Sequence, residues 1–566
     1  MTTHPHTPSL FLARLAGTQA EMGAQHAQLV APDAARLLEF YRTMPERTLA
    51  GDLGAAGKRV VRALATAWQA RLARDRPADF AARTRAFVDG VARATGPRRR
   101  TAHLAFATMD ALQNTVSIAA RLHQGPFAGA LTARGVAAAA PACSTAIVWD
   151  RASCDGELRF ARNFDFPGVG VWDAAPAFVI CAPRGGQRYG FFATRGADTP
   201  VVTVVNEAGL VLAPHTRWHR DVTFGGAMIV DLVHAIAARA ESIADAIAIA
   251  RGHRASSSWG IAIGSARERT ACVLELAGPH VEVVRPAAGA DSLVCTNRYR
   301  SAALQPGELT ASHAWAIHPD RRERRLRQLI EQRRAPLTAQ DLAGFLADRV
   351  DPAAPGCERQ LGGILAQALN VHCVVVAPAL RQAHLGIDRA PSCEGTWAEL
   401  AWQWDGPTGG WALDPPADSG FEARLIDGFA RPHSAASLHV HAATRAYEAD
   451  HDVAAARVAI EQAVACAPDD PSLRLAAAWL AMETGASDRA LVHVHAGLAH
   501  EADSYRRGQL LLWGARAADR RDVALARRWR DELASLTGNG LDELQAASRR
   551  RHRGAPHANL MMMDAY

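Results

Sequence analysis

One stretch of the sequence combines residue types that could break an amide bond. The stretch PACSTAIVWDRASCDGELRFARNFD runs from Pro141 to Asp165 and contains Cys143 and Arg162. A cysteine attacks as its thiolate, a nearby cation lowers the pKa of the thiol, and a carboxylate can orient the reacting groups. Cys143, Arg162 and Asp165 are therefore candidates for thiol-dependent cleavage of an amide.

A β-hairpin would bring these three residues together. The dipeptide Asp155-Gly156 lies between two short apolar runs, and this pattern is a strong hairpin signal. The hairpin would place Cys143, at the start of one strand, beside Arg162 and Asp165 at the end of the other.

The stretch lacks a histidine that could act as its base. No histidine lies between His123 and His215, although either could approach Cys143 in the folded chain. Cleavage between Ala142 and Cys143 would free an α-amino group with a pKa of ~7.7–8.0, which could serve as the base. The simpler alternative is that Cys143 is a buried structural thiol.

The cysteine followed by serine, the Asp-Gly turn and the closing Arg-Asn-Phe-Asp resemble the isopenicillin-N acyltransferase family of self-processing proteins. They are also similar to the choloylglycine hydrolase and acid ceramidase group. The resemblance implies an α+β, four-layer αββα N-terminal-nucleophile fold that is cut between Ala142 and Cys143. It also implies that Arg162 and Asp165 position the nucleophile and the substrate.

The same resemblance assigns three more residues to the site. Asn206, in an Asn-Glu-x-Gly-Leu turn, and Asn297, in a Cys-Thr-Asn run, would help to hold the oxyanion. An asparagine at such a turn is also ordinary turn chemistry. Arg322, in a basic helix predicted over 317–333, would point toward the site, whereas most of that charge would form a solvated face.

Other potential nucleophiles and ligands are less well supported. The serines at 256–258 are an alternative nucleophile, but no GxSxG elbow surrounds them. His215 and His219 have no clustered carboxylate nearby, so a loop bordering the substrate pocket is preferred to a metal site. The nine cysteines include no CxxC pair, and neither a zinc cluster nor a disulfide framework is indicated. We predict no cofactor and no metal.

The elements that must position these residues change in kind along the chain. Residues 10–140 show helical spacing of apolar residues, and the period then changes to two up to about residue 300. Strands interrupted by helices are compatible with two sheets between helical layers. We predict a helical pro-segment over 1–142, a catalytic core over 143–425 and a linker over 426–435.

A repeat follows the linker. Asp-Val-Ala-Ala-Ala-Arg at 452–457 recurs as Asp-Val-Ala-Leu-Ala-Arg at 522–527, with a weaker copy at 487–491. The period of about 35 residues resembles that of tetratricopeptide repeats. We predict a tetratricopeptide-like all-α domain over 436–540 and a loose tail over 541–566. Such a stack could bind a protein partner, dock on the catalytic core or mediate self-association.

Composition excludes several classes of protein. The chain has 63 Lys and Arg against 57 Asp and Glu, which gives no case for nucleic acid. The N-terminus has no basic region before its short apolar run, and no segment reaches the length of a membrane span. We therefore predict no membrane association and a cytoplasmic location.

Together with the resemblance, these observations predict a self-processing cysteine amidohydrolase. It would act on linear amide C–N bonds of small N-acyl compounds through a thioester acyl-enzyme. Transfer of an acyl group, for example from acyl-CoA, to an amine would instead make the chain an acyltransferase. A non-catalytic scaffold whose repeats bind a protein is the third hypothesis.

Overall fold

The structure is a computed structural model. It describes residues 8–49, 55–96, 102–123, 142–221, 223, 225–310, 313–354, 358–519 and 521–550. Within these residues the chain mixes helices and strands up to residue 426 and is helical from residue 435 onward. The predicted combination of a mixed α and β part with a C-terminal helical region is thus confirmed at this level.

The strands, in chain order, are β1 (Phe11–Gly17), β2 (Ala142–Val148), β3 (Arg159–Asp165), β4 (Pro176–Pro183), β5 (Tyr189–Thr194), β6 (Thr203–Asn206), β7 (Leu210–Thr216), β8 (Trp259–Ser265), β9 (Thr270–Ala277), β10 (His280–Val284), β11 (Ser292–Cys295), β12 (Asn370–Ala377), β13 (Gln382–Gly386), β14 (Trp397–Trp402), β15 (Gly409–Trp411) and β16 (Phe421–Ile426).

The α-helices are α1 (Gln19–Leu49), α2 (Ala55–Ala73), α3 (Ala78–Thr95), α4 (Thr108–His123), α5 (Ile229–Arg239), α6 (Ile243–Gly252), α7 (His313–Gln332), α8 (Ala339–Leu346), α9 (Ala435–Glu448), α10 (Val453–Cys466), α11 (Pro471–Glu483), α12 (Ser487–His500), α13 (Ser504–Ala518), α14 (Val523–Ser535) and α15 (Leu541–Ser548).

Two sheets lie between two layers of helices. A nine-stranded sheet has the order β10-β9-β8-β7-β6-β5-β4-β1-β15, and a seven-stranded sheet has the order β11-β2-β3-β12-β13-β14-β16. Phe178 and Phe192 of the first sheet pack against Phe160 and Val374 of the second. Alternate residues of each strand point the other way, toward α1, α3, α5 and α6 on the first sheet and toward α7 and α8 on the second.

The predicted hairpin around Cys143 is confirmed. β2 and β3 pair antiparallel in a register that sets Ala142 opposite Asp165 and Thr145 opposite Arg162. Gly156, in the connection, has φ 75°, which is a conformation that favours glycine.

The first strand corrects the helical interpretation of residues 10–30. β1 lies inside the nine-stranded sheet, parallel to β4 and antiparallel to β15. Leu12 faces the core between the sheets, whereas Ala13 and Leu15 face the helices. A strand that is buried on both faces is mostly apolar, as β1 is apart from Arg14, and periodicity alone cannot distinguish such a segment from a helix.

The C-terminal helices pack successively against one another around one apolar core. The repeated Asp-Val-Ala motif has the same structure twice, because Asp452 and Asp522 cap the first turns of α10 and α14 through their side chains. The predicted loose tail is wrong for α15, since Leu541 and Leu544 are buried in this core. Residues 551–566 lie outside the described residues.

Buried ion pairs join the helical region to the sheets. Arg359, in the segment before β12, donates to Glu501 at distances of 2.9 and 2.7 Å. Arg321 of α7 forms an ion pair with Asp503, and Leu361 packs in the core of the helical region. The two parts of the chain therefore share buried polar and apolar contacts.

In the described parts of the chain, no helix combines the length and the apolar character that crossing a membrane would require.

Candidate active site

Cys143 lies near the start of β2, where its side chain is buried. Cys143 and Thr145 share a face of the strand with Ile147, and Ile147 packs in the core between the sheets. The thiol therefore projects toward the nine-stranded sheet, while Ser144 projects toward α7.

Arg162 connects the thiol to the opposite sheet. Its Nη2 lies 3.4 Å from Cys143 Sγ and also donates to the carbonyl of Pro214 in β7. Its Nη1 donates to the carbonyl of Val202, next to β6. The buried guanidinium thus holds a fixed positive charge beside the sulfur.

Asn297 and Arg322 hold the backbone of Cys143. Asn297 Oδ1 accepts a hydrogen bond from Cys143 N at 2.8 Å and another from Arg322 Nη2 at 3.0 Å. Arg322 Nη1 donates to the Cys143 carbonyl and to Ser144 Oγ, both at 2.7 Å. Asn297 Nδ2 donates to the Thr216 carbonyl at 3.0 Å. The structure therefore brings both predicted residues to the cysteine.

Asp165 completes the cluster on the helix-facing side of the hairpin. Its Oδ1 accepts a hydrogen bond from Asn370 Nδ2 at 2.9 Å, and its Oδ2 has no hydrogen-bond partner among the described residues. Burial raises the pKa of Asp165 to about 7, against the opposing charges of Arg322 and Arg162. This carboxyl can change its protonation state near neutral pH.

Burial also has the largest effect on the pKa of the Cys143 thiol. It raises the pKa of the Cys143 thiol, although the charge of Arg162 acts in the opposite direction. The thiol is therefore protonated near neutral pH in this uncut strand, and an attack on a carbonyl needs a group that accepts its proton.

Asn206 is not part of this cluster. Its Nδ2 donates to the carbonyls of Ala237 and Ala240 at the end of α5, and its Oδ1 accepts from Leu210 N. Asn206 is four residues along the chain from Val202, which contacts Arg162, and this separation is ~13 Å in an extended strand. The side chain thus caps a helix and closes a turn, so its predicted oxyanion role has no geometric support.

The sequence predicts that His215 lies in a loop bordering the substrate pocket, but the structure places it in a strand. The structure extends β7 through Thr216, and His215 Nε2 lies 2.9 Å from Thr145 Oγ1. Burial and three nearby guanidinium groups, those of Arg162, Arg217 and Arg322, hold the pKa of His215 well below its usual range. One signal pointed to this role from the sequence, since His215 could approach Cys143 in the folded chain.

The alternative nucleophiles and ligands lie elsewhere. Ser256 and Ser257 donate to Asp110 Oδ1 at 3.1 and 2.5 Å, where they join α4 to the sheet. Burial raises the pKa of Asp110 to about 6. His219 contacts the Leu304 carbonyl at 3.1 Å and is not adjacent to the Thr145 contact of His215.

A mainly apolar cavity of about 60 Å³ is lined by two residues that neighbour contacts of the cluster in the chain or the sheet. Val201, on its wall, precedes the residue whose carbonyl binds Arg162, and Trp259 pairs with Thr216 across β7 and β8. The lining also includes residues from the first part of the chain, Leu37, Tyr41, Phe87, Phe106 and Met109. The cavity exceeds the ~10–15 Å³ that one water molecule needs, so it has room for a small apolar group.

No family model matches the chain, and no curated protein matches its sequence. Among solved structures, it is similar to the Caenorhabditis elegans ortholog of N-acylethanolamine-hydrolyzing acid amidase, with 14% identity and a TM-score of 0.29 over 42% of this chain and 94% of that one. Two variants of conjugated bile acid hydrolase from Clostridium perfringens match with 12% identity over 50% of this chain and 96% of theirs. Their TM-scores are 0.28 and 0.29. These low values do not establish a shared fold or activity.

Proposed function

We propose that the chain is a self-processing cysteine amidohydrolase of the N-terminal-nucleophile type, with Cys143 as its nucleophile. One observation carries the proposal: three buried side chains hold three atoms of the same cysteine. Asn297 binds its nitrogen, Arg322 its carbonyl oxygen and Arg162 its sulfur. A structural thiol that only fills space needs no such set of contacts. The order of helix, sheet, sheet and helix also agrees with this class.

In the proposed maturation, Cys143 Sγ attacks the carbonyl carbon of Ala142 and forms a C–S bond. The C–N bond between the two residues breaks, and the thiol proton ends on the departing Cys143 nitrogen. Water then hydrolyses the thioester, which leaves a carboxylate on Ala142 and a free thiol. Asn297 Oδ1 already contacts the nitrogen that would become the α-amine, and Asp165 lies opposite Ala142.

In turnover, the new α-amine takes the thiol proton while Cys143 Sγ attacks the substrate amide. The amine of the substrate leaves with that proton, and the thioester passes its acyl group to water. The cavity beside Val201 and Trp259 favours a substrate with an apolar acyl group. Residues 1–142 and 143–425 would then be the two pieces of the catalytic unit.

Intact mass spectrometry tests maturation. We expect the purified wild-type protein as two pieces, 1–142 and 143–566, and Cys143→Ala as one uncut chain. Cys154→Ala is the matched control, because Cys154 is an exposed cysteine in the same hairpin. It should be cut like the wild type.

A substrate panel then tests turnover. N-acyl amino compounds with graded apolar acyl chains should release amine without any added acceptor. Release that depends on an added amine would instead indicate an acyltransferase. An uncut wild type whose Cys143 is not protected from alkylation by these compounds would contradict the catalytic proposal.

The helical region from residue 436 to 540 is included in the proposal as tetratricopeptide-like repeats. The equivalent caps at Asp452 and Asp522 support this assignment. Its buried contacts with the sheet-containing part favour docking within the chain over a free binding surface.

A further inference from the structure

The imidazole of His215 lies next to the candidate nucleophile. His215 Nε2 is 2.9 Å from the hydroxyl of Thr145, which stands two residues from Cys143 on the same face of β2. The preceding residue, Pro214, accepts a hydrogen bond from the same Arg162 nitrogen that lies 3.4 Å from Cys143 Sγ. One nitrogen of the ring is therefore fixed, and the ring lies beside the strand that carries Cys143.

The other nitrogen of the ring is buried without a partner. His215 is 0% exposed, and its Nδ1 has no hydrogen-bond partner among the described residues. The backbone of Cys143 lies close enough to the ring to favour its protonated form, but no hydrogen bond of good geometry reaches Nδ1 from the described residues. An unpaired buried polar atom is costly, which indicates a partner in another state of the protein.

The charges around His215 decide which role its ring can take. The guanidinium groups of Arg162, Arg217 and Arg322 all oppose a positive imidazolium, and so does burial. The ring therefore stays neutral and is a poor proton acceptor. When the Thr145 hydroxyl donates to Nε2, the single ring proton lies on Nδ1, and a neutral imidazole with that proton is a hydrogen-bond donor.

We propose that His215 Nδ1–H donates a hydrogen bond to the oxyanion that forms when Cys143 Sγ attacks the substrate amide. This inference rests on the proposed function. Formation of the S–C bond moves the carbonyl π pair onto oxygen, and His215 stabilises that charge without giving up its proton. Collapse of the oxyanion breaks the C–N bond, and the amine leaves with the former thiol proton. His215 thus takes the oxyanion role that the family resemblance implies for Asn206.

Two reactions of Cys143 separate this role from others. Acylation by an activated acyl ester passes through an oxyanion, whereas alkylation by iodoacetamide does not. We expect His215→Leu to slow acylation by about 10²–10³-fold, because one oxyanion donor is lost. Alkylation should stay within about threefold, since it forms no such charge. His215→Asn, which supplies an amide N–H, should recover at least about tenfold of the lost rate.

Other outcomes would overturn the inference. Equal losses of acylation and alkylation would make His215 an activator of the thiol, and unchanged acylation would remove it from the reaction. Rates are normalised to the cut fraction measured by mass spectrometry. If His215→Leu is uncut, a Tm equal to that of the uncut Cys143→Ala chain supports the donor role, because self-cleavage also forms an oxyanion. An uncut His215→Leu with a lower Tm than Cys143→Ala assigns His215 a structural role and overturns the inference.

Acylation of the wild-type protein distinguishes a failure of this inference from a failure of the proposed function. If the wild type forms no acyl adduct on Cys143, the proposed function itself fails. If the wild type is acylated and His215→Leu is acylated equally fast, only the inference about His215 fails. Thr145→Val is a further check, and it should slow acylation less than His215→Leu because it only frees the ring to rotate.

Discussion

Two opposing effects act on the thiol of Cys143, and burial is the larger. Arg162 favours the thiolate, as its position in the sequence suggested, yet removal of the sulfur from water raises its pKa overall. A cation beside a cysteine therefore does not by itself produce a nucleophile. In the proposed mechanism, the α-amine released by the cut must take the proton.

Asp165 should make stability depend on pH. Its pKa in the folded chain is about 7, above the ~3.9 of an unfolded aspartate. The contribution of Asp165 to folding stability is thus fully present below pH ~4 and is lost as the pH rises through 7. In a Cys143→Ala background, which keeps the chain uncut, Asp165→Asn should raise Tm at pH 8 and leave it unchanged at pH 4. At pH 8, the free energy of unfolding of the two chains should differ by an amount on the order of a few kcal/mol.

Asp198→Asn in the same background is the control of opposite sign. Burial opposes the ionised form of Asp198, but Arg83 and His26 outweigh it and hold the pKa of this carboxyl below its usual range. Its contribution is present above pH ~4 and is lost as the pH falls further. Asp198→Asn should therefore lower Tm at pH 8. A Tm difference for Asp165→Asn that does not vary with pH would contradict the assignment.

At the scale of elements, the orientation of helix α7 places one of its arginines, Arg322, at the candidate site. Trp315, His318, Arg322 and Leu326 are buried and recur at helical spacing, so Arg322 lies on the inner face of the helix. Arg324 is exposed on the same helix. The buried spacing, rather than the density of arginines, is the signal that singles out Arg322.

Arg322→Lys should reduce self-cleavage and turnover by about 10²-fold, because a lysine cannot bind the Cys143 carbonyl and Asn297 with two nitrogens of one planar group. Time courses of cutting by mass spectrometry and of amine release measure the two rates. Arg324→Lys keeps the charge on the exposed face and should match the wild type. Equal rates for the two variants would remove Arg322 from the site.

The elements that the sequence predicted correctly are those whose signals lie close together in the chain. The Asp-Gly turn and two apolar runs predicted the β2–β3 hairpin, and hence the meeting of Cys143 with Arg162. β1 was missed because its neighbours β4 and β15 are distant in sequence, and only their pairing makes residues 11–17 a strand. His215 was missed as a site residue for the same reason, since its contact with Thr145 crosses from one sheet to the other.

At the scale of the whole molecule, buried charges join the helical region to the sheets. Arg359 and Glu501 are both almost fully buried, with side-chain exposures of 2% and 1%. Removing one partner leaves an uncompensated buried charge, whereas replacing both with apolar residues removes that penalty. Separating the helical region from the sheets therefore requires the free energy to break this ion pair.

Arg359→Met should lower the free energy of unfolding by ~3–5 kcal/mol, and the double variant Arg359→Met/Glu501→Leu should recover most of that loss. Urea unfolding of the uncut Cys143→Ala chain measures both. Arg489→Met provides a comparison, because its pair with Glu461 is more exposed and should contribute only ~0–1 kcal/mol. A single variant at Arg359 with no measurable loss would show that the interface does not depend on this pair.

The position of β1 affects whether the protein can refold after it has been unfolded. Strand β1 would belong to the piece that precedes the proposed cut, yet it is hydrogen-bonded between β4 and β15, which would belong to the piece that follows. The proposed cut would therefore leave both pieces in one sheet, and neither piece could leave without breaking that sheet. Refolding of the uncut chain is a first-order process, whereas refolding of the cut protein requires two polypeptides to meet and depends on their concentration. Self-cleavage would thus make a protein that assembles easily once, as a single chain, and that does not readily recover after complete unfolding.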